Sequence, residues 1–228
     1  MDASKSFYQY APAGDFIVTD EDAADFLQSQ FANELRPFNV GQATYGLWLD
    51  VKGKVIADSV VLCEGAEQFR VISECCVGEL IMAHMERHII ADDVEIENGD
   101  STYGFELSAQ AVEALGLECP KSGRFIQIEG GILYSAHDSI YNIVVYAELA
   151  AKLVFEKLTD LGFIEISVSE RGLARIERGR PLVPDEIGAA DIPGEGGLEL
   201  DAISFTKGCY LGQEVVARMH NVGKAQRG

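Results

Sequence analysis

Along the chain the spacing of apolar residues changes from two to about 3.6 and back, in two successive rounds. Phe16-Ile17-Val18 reads as a short strand, and Thr19 follows as a helix N-cap with Asp22 three residues on. Ala23, Phe26, Leu27, Phe31 and Leu35 then recur at helical spacing as far as Arg36, where Pro37 stops the pattern. Residues 45–49 and 54–63 alternate as strands around an Asp-Val-Lys-Gly turn, and 68–72 supplies a third. A helix over 76–88 and an alternating Val94-Glu95-Ile96-Glu97 strand close the first round. The second is looser: strand 103–107, short helix 109–115 stopped by Gly116, strands 124–128 and 131–135 joined through Glu-Gly-Gly, and strand 140–146 rich in β-branched and aromatic residues. A helix over 147–161 follows, with Leu149, Leu153, Val154, Phe155, Leu158 and Leu161 as its apolar stripe and Gly162 as its stop. Residues 1–14 show no period and predict an irregular lead-in. Residues 169–178 predict a helix, and the Pro-, Gly- and acid-rich stretch 182–204 a long crossing segment.

This order predicts an α+β fold of two α/β-plait lobes, 1–100 and 101–228, the second carrying the crossing segment. Antiparallel strands with helices on one face, taken twice, leave a groove between the halves, a usual place for a ligand.

The formal net charge of −19, from 18 basic and 37 acidic residues, argues against direct nucleic-acid binding, which needs clustered Lys and Arg. No run of 18 apolar residues predicts a membrane span. Five cysteines without a CxxC pair, behind no N-terminal apolar segment, predict a reducing, cytoplasmic setting. The adjacent Cys75-Cys76 admits two readings, a vicinal redox pair or packing at a helix start. His84 and His88 share a helix face at i and i+4, but H-x-E-x-H is not H-E-x-x-H and no further ligand is marked, so solvated or core-edge histidines are expected.

Chemistry concentrates in Lys207-Gly208-Cys209-Tyr210-Leu211-Gly212-Gln213-Glu214. Glycines around a cysteine allow a tight loop that presents a thiol, and Lys207 two positions away would favour the thiolate. The alternative is a structural turn whose Cys is a small buried apolar side chain.

That stretch, followed by Val215-Val216-Ala217-Arg218, resembles the signature of the YgfZ family, folate-binding relatives of the glycine-cleavage T-protein, an aminomethyltransferase. Arg175-Ile176-Glu177-Arg178-Gly179-Arg180-Pro181 is similar to an element preceding it in both groups. Residues 22–30 resemble the family's D-A-x-x-F-L-Q-G-Q helix with Ser29 where Gly is usual, and 45–54 its strand-turn-strand unit. The resemblance implies two ferredoxin-like lobes that bind tetrahydrofolate or a one-carbon derivative, with the family's C-terminal β-barrel absent from this chain. It further implies an accessory role in iron-sulfur cluster assembly or repair, transient contact with iron-sulfur proteins, and indirect support of tRNA modification. Three departures point away from glycine cleavage. A T-protein aspartate pair aligns with Ala57 and Asp58, its pterin-holding Glu with Asn142, and its Asp-Phe-Ile-Gly with the signature turn. The residues expected to act are Cys209 as nucleophile or transient metal or sulfur ligand and Lys207 as its activator. Asp58, Asn142, Arg175, Tyr210, Gln213, Glu214, Arg218 and Trp48 are expected around the folate. The alternatives are an aminomethyltransferase-like one-carbon transfer enzyme and a non-catalytic binding module.

Overall fold

The structure, a computed structural model, describes residues 5–99, 102–137 and 140–222. They form two sheets. A five-stranded sheet runs in the order β3 (Ala43–Leu49), β4 (Val55–Gly65), β5 (Gln68–Ser73), β2 (Gly14–Thr19), β6 (Glu95–Asn98). A six-stranded sheet runs β11 (Ile164–Glu165), β1 (Ser6–Tyr10), β7 (Tyr103–Leu107), β10 (Ile140–Val145), β9 (Gly131–His137), β8 (Arg124–Ile128). All neighbours are antiparallel except β1 and β11.

The sheets face each other, because their strands are apolar on both sides. In β10, Ile143 and Val145 point to one core while Val144 points to another. One core lies between the five-stranded sheet and helices α1 (Ala23–Gln30) and α2 (Gly78–Glu86). A second joins the other sheet to α3 (Ala109–Ala114) and α4 (Glu148–Asp160). Between the sheets lies a third, built from Val60, Leu62, Ile72, Phe125, Ile132, Tyr134 and Val144. The result is a layered α+β fold of two α/β plaits, as expected, stacked sheet to sheet with the helices outermost. Among the described residues no sheet closes into a barrel.

Chain order and spatial order part company at both ends. Residues 6–10, expected to be irregular, are strand β1 and sit in the second sheet, hydrogen-bonded to β7 and β11. Only Phe7 of that strand is fully buried, so the strand leaves almost no apolar period. The crossing segment and the turn and helix after it, assigned by sequence to the second lobe, pack on the first: Val183, Ile187, Leu198, Ala202, Ile203, Tyr210 and Val216 complete the core beneath α1 and α2. A division at residue 100 therefore does not describe the sheets. Helix α1 also stops at Gln30 instead of Arg36, because Phe31 turns extended, yet Phe31 and Leu35 stay in the core. Its N-cap is Asp22 rather than Thr19.

His84 sits on α2 and His88 two residues past its end. His84 is buried, which pushes its imidazole down to about 4, and His88 lies ring-to-ring with it at 5.0 Å. Among the described residues no group of three or more His, Cys, Asp or Glu could hold a metal ion, and no helix is long and apolar enough to cross a membrane.

Candidate functional site

A cavity of about 150 Å³ is lined by residues of both sheets. From the five-stranded sheet come Tyr45 on β3, Asp58 on β4, and Glu74 and Cys75 just after β5; from the other come Glu106 on β7 and Asn142 on β10. Helix α5 (Val168–Glu177) and the segment after it form the remaining wall with Arg171, Arg175, Arg178 and Arg180.

Asp58 is half-buried and held by two donors. The Tyr45 hydroxyl donates to Oδ2 at 2.9 Å and the Cys76 thiol to Oδ1 at 3.4 Å. Tyr45 reaches it because the two are diagonal neighbours on paired strands, Asp58 lying opposite Leu47. Burial pushes the Asp58 carboxyl up to about 6, outweighing the two hydrogen bonds that pull it down. A carboxyl that titrates near neutrality can give or take a proton at the cavity wall.

Across the cavity, the pairing of four strands sets Tyr8, Glu106, Asn142 and Tyr134 in one row. Tyr10 crosses β7 to donate to Asn142 Oδ1 at 3.0 Å. Gly104 makes this possible, since a Cβ there would sit 2.3 Å from the Tyr10 ring. With its oxygen engaged, the Asn142 amide has its NH2 group left as donor.

Helix α5 buries none of its residues and is fastened by ion pairs instead. Arg171 bridges the two sheets: Nε donates to Glu106 at 2.9 Å, Nη2 to Glu74 at 2.6 Å, and the guanidinium lies over the Tyr8 ring. Arg178 reaches the other Glu106 oxygen at 3.4 Å. Arg175 forms a fork with Glu186 at 2.8 and 2.7 Å and also donates to the Arg180 carbonyl. The carboxylates Asp58, Glu74, Glu106 and Asp201 thus face four arginines, so the wall carries nearly balanced charge.

Of the residues expected around a ligand, the cavity brings together Asp58, Asn142 and Arg175. Trp48 lies elsewhere: its ring is sealed in the core against Phe31, and Nε1 donates to Ser59 at 2.8 Å. Gln213, Glu214 and Arg218 belong to helix α6 (Gln213–Val222), outside the cavity wall. Cys209 is exposed and also outside that wall.

Lys207 takes a different part from the expected activation of Cys209. Its ammonium is buried and donates to the carbonyls of Gln28, Phe31 and Asn33 at 2.7, 2.7 and 2.8 Å, capping the end of α1. Burial pushes it down to about 8, so at neutral pH it is mostly protonated and keeps its three donors. Tyr210 is buried beside it, with the ammonium 5.3 Å from the ring centre, and Leu211 N–H donates to the Ser29 carbonyl. Gly212 has φ +82°, and a Cβ there would stand 2.5 Å from the Asp50 carbonyl oxygen. Lysine, tyrosine and glycine of the turn therefore clamp it to α1 and to the loop after β3, leaving the cysteine outward.

Tyr8, Tyr10, Glu106 and Tyr134 were not singled out by sequence, and Cys76 only as one of an adjacent cysteine pair. The signal was available for some: polar residues at inward positions of otherwise apolar strands. Arg171 and Glu74 left no such mark, because 97 residues separate them.

Replacement of Asp58 by Asn is expected to stabilise the fold near neutral pH. The folded carboxyl titrates at about 6 against an ordinary 3.8, so stability of the native sequence falls as pH rises from about 4 to 6 and is level above. The variant lacks this fall and should exceed it by on the order of 2 kcal/mol at pH 7.5, with no advantage at pH 4. Urea midpoints at the two pH values check this; equal differences at both would refute a raised carboxyl.

The GCVT N-terminal domain family matches residues 6–119. Proteins named tRNA-modifying protein YgfZ from Escherichia coli O157:H7 and Shigella dysenteriae serotype 1 are each 28% identical over 219 residues, 92% of this chain. The chain spans 66% of the length of these relatives. The crystal structure of glycine cleavage system aminomethyltransferase T from Bartonella henselae superposes with a TM-score of 0.82 at 14% identity, covering 97% of this chain and 65% of that one, which shows a shared fold. This chain belongs to the GCVT N-terminal domain family.

Proposed function

We propose that this chain is a folate-binding accessory protein of the kind its YgfZ relatives represent, one that supports iron-sulfur cluster assembly or repair in the cytoplasm and, through iron-sulfur enzymes, tRNA modification. The observation that carries the reading is the Asp58 carboxyl held at the wall of a cavity between the sheets, in a chain similar to proteins named for tRNA modification.

The residues present fit a folate, with one adjustment. A cavity of about 150 Å³ is smaller than the ~300–1,000 Å³ of pockets for larger ligands, so it suits a single flat ring system. Asp58 would accept from the amino-pyrimidine edge of a pterin with the lone pairs left beside its hydrogen bonds from Tyr45 and Cys76, while the Asn142 NH2 group would donate. Arg175, Arg178 and Arg180 would hold the tail carboxylates. Bound tetrahydrofolate supplies the atoms that carry a one-carbon unit. The thiol of Cys209, exposed on a separate surface, would meet iron-sulfur partners transiently, and soft thiolate suits that chemistry.

Calorimetric titration with tetrahydrofolate tests the cavity. Saturable binding is expected, weakened at least tenfold by Asn142→Leu; no heat up to the solubility limit would remove the folate reading. Cys209→Ser is expected to leave that binding intact and to lower iron-sulfur enzyme activity in cells; unchanged activity would remove the thiol's part.

A second reading, aminomethyltransferase-like one-carbon transfer, is favoured by the near-neutral Asp58 carboxyl. Turnover of tetrahydrofolate with an aminomethyl donor, lost in Asp58→Asn, would establish it.

A further inference from the structure

The two adjacent thiols after β5 are placed differently, and the difference gives each a role. Cys75 is half-buried and lines the cavity. Cys76 is 1% exposed and does not line the cavity itself, but its thiol donates to Asp58 Oδ1 at 3.4 Å and lies 3.5 Å from the Val183 carbonyl, both on the cavity wall. One sulfur is reachable from the cavity, and its sequence neighbour touches the cavity's carboxyl. Residues 74–76 form a bend between β5 and α2, in which the Glu74 carbonyl accepts from Ala13 N–H at 3.0 Å and Cys76 N–H donates to Ser73 Oγ at 3.0 Å, so both thiols are carried on a held turn rather than on a strand.

We propose that Cys75 and Cys76 are a vicinal dithiol that small-molecule disulfides oxidise from within the cavity, and that this oxidation removes the Cys76 donor from Asp58. The dithiol site stands on the positions of the two sulfurs alone; its control of ligand binding rests on the folate reading above.

The chemistry runs in two exchanges. The Cys75 sulfur attacks a disulfide RSSR, forming Cys75–S–SR and releasing RSH, which carries away the Cys75 proton. The Cys76 sulfur then attacks the Cys75 sulfur, its proton passing to the Asp58 carboxylate and on to the departing RS⁻, which leaves as a second RSH. The two cysteines lose two electrons and two protons, and RSSR gains both. Burial pushes both thiols up to about 12, so neither ionises at neutral pH unaided, and the adjacent carboxylate is the base that makes the second exchange possible. Neighbouring Cα atoms are ~3.8 Å apart across a trans peptide, shorter than the ~4.4–6.8 Å of ordinary disulfides. The bond is thus strained, readily reduced by thiols, and belongs to the labile kind rather than the structural.

The test uses the full chain with 2-hydroxyethyl disulfide, a reagent small enough for the cavity, followed by alkylation and peptide mass spectrometry. The expected product is a Cys75–Cys76 peptide lighter by two hydrogens and closed to alkylation, restored by dithiothreitol. Phenylarsine oxide, which bridges paired thiols, should protect the same peptide from oxidation. In Asp58→Asn the mixed disulfide on Cys75 should accumulate because the second exchange lacks its base. Recovery of both thiols alkylated, or a mixed disulfide on Cys75 that never resolves in the native sequence, overturns the dithiol. In the oxidised chain, tetrahydrofolate affinity is expected to fall at least tenfold; an unchanged affinity overturns the control while the peptide result reports the dithiol separately. If tetrahydrofolate fails to bind the reduced chain as well, it is the folate reading that has failed.

Discussion

Replacement of Lys207 by Met should destabilise the protein by on the order of 3 kcal/mol. The methionine keeps most of the aliphatic stem but leaves the carbonyls of Gln28, Phe31 and Asn33 without their shared donor. Net hydrogen bonds to a charged group are worth ~1.5–3 kcal/mol each, and a buried acceptor left unmade costs ~1–3 kcal/mol. The desolvation that lowers the lysine pKa offsets part of this sum, which holds the expected loss near the single-bond scale. Urea unfolding measures it. The distinguishing observation is local: amide exchange in α1 should rise more than exchange in α4. If stability were unchanged while Cys209 lost reactivity, the lysine would serve the thiol instead of the helix end.

The other large effect lies between the sheets. Arg70 on β5 and Asp15 on β2 pair at 3.0 Å with side chains 5% exposed, and the guanidinium lies 4.5 Å from the centre of the ring of Tyr146, which directly follows β10 of the opposite sheet. Arg70→Met removes the ion-pair partner of a buried carboxylate and should cost about 3–5 kcal/mol. The double variant Arg70→Met, Asp15→Leu should recover most of that loss, because an apolar pair of similar volume carries no desolvation penalty. Additive losses in the double variant would mean that the two residues stabilise the fold independently. The Tyr146 contact adds a further expectation: the single variant should loosen the packing of the two sheets on each other.

Much of this architecture was written in local patterns. Strands 103–107 and 124–128 were legible to the residue, since alternation and turn residues act over a few positions. The glycine-punctuated turn gave the family, and Asp58, Asn142 and Arg175 follow from that resemblance into one cavity. What stayed hidden is long-range. Lys207 bonds to residues 174 to 179 positions earlier, and no periodicity near position 207 records such partners. Helix α5 was legible as a helix, with Ser167 and Glu170 forming its capping box, but its fastening by arginines to Glu74, Glu106 and Glu186 was not. The same holds for Cys76, whose small apolar character fits helix-start packing while its proton points at Asp58.

The position of β1 between β11 and β7 has a consequence for synthesis and for genetic dissection. During synthesis β1 has to wait, unpaired, until its neighbours at 103–107 and 164–165 have been made, so completion of that sheet is a late event with high contact order. A gene cut between the halves would give a downstream fragment with a strand-wide slot between the short edge strand β11 and β7. Supplying residues 5–10 as a fused or separate peptide should heal it.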